Sequence, residues 1–247
     1  MMESYSDLEA YPLIYRGPCT TVVLVAPDII LKWYGGEEVH VLHFARRHLI
    51  PVPRVLYHRR RAPYFCMEQC RGVSLEKVID TMSLSDLVHI ANQLSSILTQ
   101  MSSIKSRFIC SVKNQALRNF FYPPSFEPKH PFSSVSEFYD YYRDMLRWCS
   151  TDEWLDSFFH RLPRNDAIHF VHGDLVPPNI MVEDSTITGI IDWASGGFYP
   201  SHWEYCRMWQ YTSGNWVYIL ERVFPGRPRR MEIEAYRKLI SMLANNF

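Results

Sequence analysis

Residues Phe170 to Trp193 read FVHGDLVPPNIMVEDSTITGIIDW, and the reading of this stretch decides the fold. Its polar chemistry is gathered at His172-Gly173-Asp174, at Asn179 and at Asp192. Asn179 lies five positions after Asp174, and Asp192 thirteen positions after Asn179. Between the last two lie an apolar run, a polar turn (Glu183-Asp184-Ser185-Thr186) and a second apolar run. That text reads as strand, turn, strand. A hairpin of this length returns Asp192 to the end of the loop that carries Asp174 and Asn179, so two carboxylates and an amide oxygen are expected to converge. Taken singly, Asp174 reads as a turn cap and Asn179 as an ordinary turn residue. The set at this spacing argues for a site.

The chemistry that needs such a set is phosphoryl transfer. Magnesium takes hard oxygen ligands, usually one or two carboxylates with phosphate oxygens and water. Asn179 and Asp192 fit as its ligands. Asp174 fits as the group that orients an acceptor hydroxyl and takes its proton late, because the loose transition state needs positioning more than a strong base.

The pattern H-G-D-x-x-x-x-N followed by I-I-D-W resembles the aminoglycoside phosphotransferase and choline kinase family, distant relatives of protein kinases. Trp193 after Asp192, where protein kinases carry phenylalanine, favours the small-molecule branch. The text Gly196-Gly197-Phe198-Tyr199-Pro200 with Trp203-Glu204 is similar to a subset common in fungi; packing of these residues against the following helix is their plainer reading. The resemblance covers roughly Val22 to Tyr211 and is specific at the catalytic segment. It implies an α+β, bilobal, protein-kinase-like fold, with ATP and Mg2+ as cofactors. It also implies Asp174 as catalytic base, Asn179 and Asp192 as magnesium holders, and His172 as a residue that shapes the loop.

The same resemblance asks the N-terminal part for a lysine on the nucleotide phosphates and a glutamate to hold it. Thr21 to Val25 and Ile29 to Tyr34 read as strands, and Glu37 to His48 as a helix ended by Pro51 and Pro53. Lys32 lies within the second strand, where a charge needs a partner or a ligand unless it faces water. Glu38 is the expected partner, with Glu37 as the alternative; either also suits an ordinary first helical turn. Met67-Glu68-Gln69-Cys70 falls where the family's hinge binds adenine, which marks Glu68 and Cys70 by position. Gly17 is the only glycine before Gly35, so Arg16-Gly17-Pro18-Cys19-Thr20-Thr21 stands in for a phosphate-covering glycine loop.

Beyond Gly72 the text turns helical: Ser74 to Met82, then Ser83 to Ile104 with Ser83 or Ser85 as N-cap, then Val135 to Trp148. Ile168 to Val171 and Ile187 to Ile191 read as short buried strands. Strands first and helices afterwards point to two lobes, residues 1–70 and 71–247, hinged near Glu68 to Gly72. Residues 120–159 hold 13 aromatics in 40 positions. Either they pack the helices, or they line a site for a less charged, partly apolar or aromatic acceptor that bears a hydroxyl.

Composition narrows the classes. Lysine plus arginine equals aspartate plus glutamate at 26 each, so no global field recruits nucleic acid or a membrane surface. No apolar run approaches the roughly 20 residues of a membrane span. Met1 to Asp7 lacks the basic start and apolar stretch of a signal peptide. The six cysteines are scattered with no C-x-x-C pair, which suits reduced thiols in a cytoplasmic protein. The expectation is a monomeric kinase acting on a small-molecule hydroxyl. Its rivals are a kinase-fold pseudoenzyme that only binds nucleotide or ligand, and an enzyme that reuses the cleft for non-phosphoryl chemistry.

Overall fold

The computed structural model describes residues 5–17, 20–33, 37–59, 62–117 and 126–246. A 3-10 turn (Tyr5–Ala10) leads into β1 (Leu13–Arg16), β2 (Thr21–Ala26), β3 (Ile29–Trp33), helix α1 (Glu38–Arg47), β4 (Val55–His58) and β5 (Tyr64–Glu68). The strands form one antiparallel sheet in the order β1-β2-β3-β5-β4. Strand alternation gives it two faces. Leu31 and Trp33 point to one, where they meet Val23, Tyr64 and Leu8. Ile30 and Lys32 point to the other, opposite Met67 and Phe65 of β5. Phe65 and Met67 share a core with Val39, Leu42 and Ala45 of α1. Lys32 is therefore on the covered face and only 5% exposed, not on an edge facing water.

The chain leaves the sheet at Gly72, whose φ is +79°; a Cβ there would sit 1.9 Å from the Val182 carbonyl oxygen. Only glycine permits both the conformation and the close crossing. Then come β6 (Val73–Ser74), α2 (Leu75–Val78), α3 (Leu84–Ser103), α4 (Val135–Leu146), α5 (Asp152–Phe159), β7 (Ile168–Val171), β8 (Ile180–Glu183), β9 (Thr186–Ile190), β10 (Gly197–Pro200), α6 (His202–Met208), α7 (Gly214–Val223) and α8 (Arg230–Asn246). The fold is α+β and kinase-like, a β-rich N-terminal part followed by a larger helical part.

Two small sheets, β6-β8-β9 and β10-β7, carry the segment on which the sequence reading turned. Ser83 caps α3 through a reciprocal capping box with Asp86, which decides between Ser83 and Ser85. One core runs from α1 and β5 through α3 (Leu87, Ile90, Leu94) to α7 (Trp216, Ile219, Leu220).

Two local expectations are refined. Ser74 to Met82 is not one helix: Leu75–Val78 makes a single turn, followed by a 3-10 turn at Ile79–Thr81. Burial of Leu75 and Ile79 needs no longer helix than that. The aromatics of α4 and α5 build a second core, with Phe138, Tyr139, Tyr142 and Phe159 fully buried alongside Trp203 and Tyr236. These buried rings follow the packing reading, whereas Trp148 and Trp154 are exposed; Phe120 to Tyr122 lie outside the described residues. Cys66, Cys70, Cys110, Cys149 and Cys206 are free thiols. Among the described residues, no helix is long and apolar enough to cross a membrane.

Candidate active site

The loop after β7 is held from behind by Glu204, a residue of α6 that is 3% exposed. Its Oε2 accepts the backbone N–H groups of His172 (2.5 Å) and Gly173 (3.0 Å), and its Oε1 accepts that of Leu175 (3.2 Å). Burial pushes the Glu204 carboxyl above its ordinary value, while His172 and these three amides pull it back. A carboxylate satisfied by three amides fixes the backbone around Asp174. Gly173 (φ +82°) completes the turn: a Cβ there would lie 2.7 Å from the Ser195 carbonyl oxygen. His172 is fully buried. Its Nδ1 accepts the Asp174 N–H at 3.1 Å, so its Nε2 is the nitrogen that donates to the Ile191 carbonyl at 3.0 Å. Both ring nitrogens are thus spent on loop geometry.

Asp174 carries two different partners on its two oxygens. Oδ1 receives the Arg207 guanidinium, with Nε at 2.6 Å and Nη2 also in contact. Oδ2 accepts Asn179 Nδ2 at 3.1 Å, and the same Nδ2 donates to the Asp174 carbonyl at 2.9 Å. With both amide hydrogens turned to Asp174, the amide oxygen of Asn179 is left for another ligand.

Across the β8–β9 hairpin, the Ile191 N–H donates to the Asn179 carbonyl at 2.9 Å and sets Asp192 beside that amide. Asp192 occupies the left-handed region (φ 64°, ψ 59°), a strained conformation for an aspartate. Its side chain is 46% exposed, and Oδ1 lies 2.7 Å from Lys32 Nζ. Burial would raise the Asp192 carboxyl, but the Lys32 charge and hydrogen bond outweigh it and hold the carboxyl below its usual range. Lys32 Nζ also meets Glu38 Oε2 at 2.6 Å, and Glu38 Oε1 accepts the Trp193 N–H at 3.0 Å. Burial would pull the Lys32 ammonium down, yet Glu38 and Asp192 together raise it above its ordinary value. Burial raises the Glu38 carboxyl as well, against the pull of Lys32. Two donors, an ammonium and an amide, converge on that carboxylate and keep it the charged partner of Lys32.

Glu37, the alternative partner, points elsewhere and lies 3.5 Å from Lys113. The side chains of Glu68 and Cys70 do not join the cluster. Glu68 pairs with Arg54 at 2.7 Å, and the Cys70 thiol packs on Gly189 with its pKa pushed up to about 11 by burial and by the nearby Glu68 charge. The backbone of this stretch runs on from β5, where Gln69 N–H donates to Asp28. The glycine-loop stand-in falls at the β1–β2 turn, where Gly17 N–H donates to the Thr20 carbonyl at 2.9 Å; Pro18 and Cys19 lie outside the described residues.

Two contributors escaped the sequence reading. Arg207 was not singled out, and Glu204 was read only as packing. The available signal was an acid and a base three apart in the otherwise apolar text His202-Trp203-Glu204-Tyr205-Cys206-Arg207-Met208, which puts both on one helix face.

Among the described residues, no group of three or more His, Cys, Asp and Glu side chains could hold a metal ion. A magnesium site asks for less, since phosphates and water complete its shell. No curated protein matches the chain. Solved structures match its fold over nearly the whole length. The streptomycin–ATP ternary complex of APH(2")-IIa superposes with a TM-score of 0.66 at 13% identity, covering 100% of this chain and 93% of that one. Apo APH(4)-Ia, a thermostable mutant of an aminoglycoside phosphotransferase, gives 0.65 at 15% identity, covering 95% and 87%. The GDP complex of aminoglycoside 2'-phosphotransferase-IIIa gives 0.66 at 12%, covering 96% and 93%. At such identities these likenesses speak for the fold alone. The family model described as "Phosphotransferase enzyme family" matches residues 35–239, a span that holds Glu38, the loop after β7 and α6. By that match, the chain belongs to the phosphotransferase enzyme family.

Proposed function

We propose that this protein is a small-molecule kinase that moves the terminal phosphoryl group of ATP onto a hydroxyl. The carrying observation is the meeting of two half-sites: Lys32, Glu38 and Asp192 on one side, Asp174 and Asn179 on the other, joined by the Ile191–Asn179 backbone hydrogen bond. The division into lobes 1–70 and 71–247 belongs to this reading, with the cleft between them.

The donor set suits magnesium. Asn179 Oδ1 and Asp192 Oδ2 are hard oxygens with no protein hydrogen bond among the described residues, and they lie on adjoining backbone segments. When bound, Mg2+ supplies positive charge to the nucleotide phosphates. Lys32 Nζ donates to Asp192 and ion-pairs with Glu38, and its three N–H groups leave a donor for a phosphate oxygen. Glu38 fixes that ammonium and, through Trp193, the backbone beside Asp192. Asp174 orients the acceptor hydroxyl and takes its proton as the oxygen–phosphorus bond forms. A small-molecule acceptor fits the family. Solved relatives of the same fold are complexes with streptomycin and with hygromycin B.

Calorimetric titration with Mg-ATP, followed by an ADP-release screen over aminoglycosides, choline and other small alcohols, tests the reading. Asp174→Ala is expected to cut turnover about 10²–10⁴-fold with little change in Mg-ATP affinity. Failure to bind Mg-ATP, or near-normal transfer by Asp174→Ala, would overturn it. Turnover of a ligand without ATP would point to the non-phosphoryl rival.

A further inference from the structure

Arg207 stands one helical turn after Glu204 on α6, so both side chains reach the same loop. Glu204 takes its amides, and Arg207 takes Asp174 itself. The manner of that pairing is informative. A guanidinium that only braces a carboxylate favours the fork-to-fork arrangement, with two parallel N–H groups on two oxygens. Here Nε and Nη2 both converge on Oδ1, while Oδ2 is left to Asn179. Nη1 has no hydrogen-bond partner among the described residues, and the Arg207 side chain is 27% exposed beside an Asp174 that is 22% exposed. Donors remain at the position next to the base.

The charge balance around the base points the same way. The loop between Asp174 and Asn179 is Leu175-Val176-Pro177-Pro178, which contributes no cation. Lys32 is engaged on the far side by Glu38 and Asp192. In phosphoryl transfer, negative charge spreads over the three equatorial oxygens of the moving group, between the attacking and leaving oxygens, and a guanidinium there stabilises it.

We propose that Arg207 is a phosphate-binding residue of this site, anchored on Asp174 Oδ1 and presenting its remaining N–H groups to the phosphoryl group in flight. This rests on the phosphotransferase reading given above. In the step, the acceptor oxygen bonds to the terminal phosphorus and the phosphorus–oxygen bond to the leaving ADP breaks. The acceptor proton passes to Asp174 Oδ2, and Arg207 hydrogen-bonds the transferred oxygens without exchanging a proton.

The test needs no acceptor. Mg-ADP affinity is measured by calorimetry with and without aluminium fluoride, a mimic of the phosphoryl group in transfer, for wild type, Arg207→Met and Arg207→Lys, each checked by its thermal melt. Wild type is expected to bind Mg-ADP at least about tenfold tighter with aluminium fluoride. Arg207→Met should keep Mg-ADP affinity within about twofold and lose most of that gain, and Arg207→Lys should keep part of it. An undiminished gain in Arg207→Met, or an equal loss on Mg-ADP alone, overturns the proposal. Should Arg207→Met not fold, Arg207→Lys decides, and a gain identical to wild type with Arg207→Gln also unchanged overturns it. Wild type that binds Mg-ADP with no gain removes the role of Arg207 and leaves the nucleotide reading standing. Wild type that does not bind Mg-ADP removes both.

Discussion

Glu38 Oε1 accepts the backbone N–H of Trp193 at 3.0 Å while its other oxygen meets Lys32 at 2.6 Å. One buried carboxylate thus ties a strand of the sheet, the first turn of α1 and the residue after Asp192 into a single unit. The unit has no redundancy at the amide, because the Trp193 N–H has no second acceptor among the described residues, while Lys32 keeps Asp192.

Glu38→Ala therefore strands a buried ammonium against one partly exposed carboxylate and leaves an amide unpaired. Removing one member of a buried pair costs about 3–5 kcal/mol, and the surviving Lys32–Asp192 contact places this case near the lower end. Urea unfolding should register that loss. Glu38→Gln, which keeps an acceptor for Trp193, should recover part of it.

Gly173→Ala tests the closeness of the two loops. The added methyl would sit 2.7 Å from the Ser195 carbonyl oxygen, at a φ of +82° that side chains avoid. A cost of about 2–3 kcal/mol is expected from strain and collision together. Turnover should fall by more than the stability loss accounts for, because relief of the clash shifts Asp174. A variant with wild-type unfolding midpoint and wild-type turnover would contradict this geometry.

The neighbourhood of Asp174, Asn179 and Asp192 was legible because two apolar runs around a four-residue polar turn admit one hairpin, and a hairpin fixes which ends meet. Lys32 was legible as an anomaly, a charge inside an apolar strand, though which face it took was not. That depended on which side of the sheet α1 covers, a tertiary fact. β1 stayed hidden because all of Leu13–Arg16 is exposed and so carries no period-two pattern. β10 stayed hidden because Gly197-Phe198-Tyr199-Pro200 reads as turn text, yet pairing with β7 buries all four residues. Arg207 was invisible for a different reason. An arginine on a helix is ordinary, and only the packing of α6 behind the loop brings it to Asp174.

Glu204→Gln asks whether the loop is held by charge or by shape. The isosteric amide keeps one acceptor oxygen but turns an NH2 group toward an amide that already donates, either Leu175 or the His172–Gly173 pair. At a site 3% exposed to solvent, such a donor–donor encounter costs about 2–4 kcal/mol. Hydrogen exchange at Gly173 and Leu175 should rise above that of the α3 core. Exchange unchanged from wild type would mean that packing alone holds the loop.

Asp166 gives the structure a dependence on pH away from the site. Its carboxylate accepts Ser201 Oγ at 2.5 Å and His202 Nδ1 at 2.6 Å, and His202 Nε2 in turn meets the Tyr139 hydroxyl at 2.5 Å in the second core. Because a carboxylate only accepts, Nδ1 is the donor, and Nε2 of the neutral ring accepts the hydrogen bond that the Tyr139 hydroxyl donates. Burial would raise the Asp166 carboxyl, but the donors from His202 and Ser201 outweigh it and hold the carboxyl far below the ordinary carboxylate range. With the folded value depressed, the unfolded chain binds more protons in the interval between the two values, so stability rises with pH across it. The contribution is complete above the unfolded value of about 4 and is lost as pH falls below that toward the folded value. Asp166→Asn should lower stability by about 2 kcal/mol at neutral pH. The deficit should shrink as wild type and variant are melted at successively lower pH below about 4, where wild type loses what the variant never had. Parallel melting curves over that range would show that Asp166 does not carry this dependence.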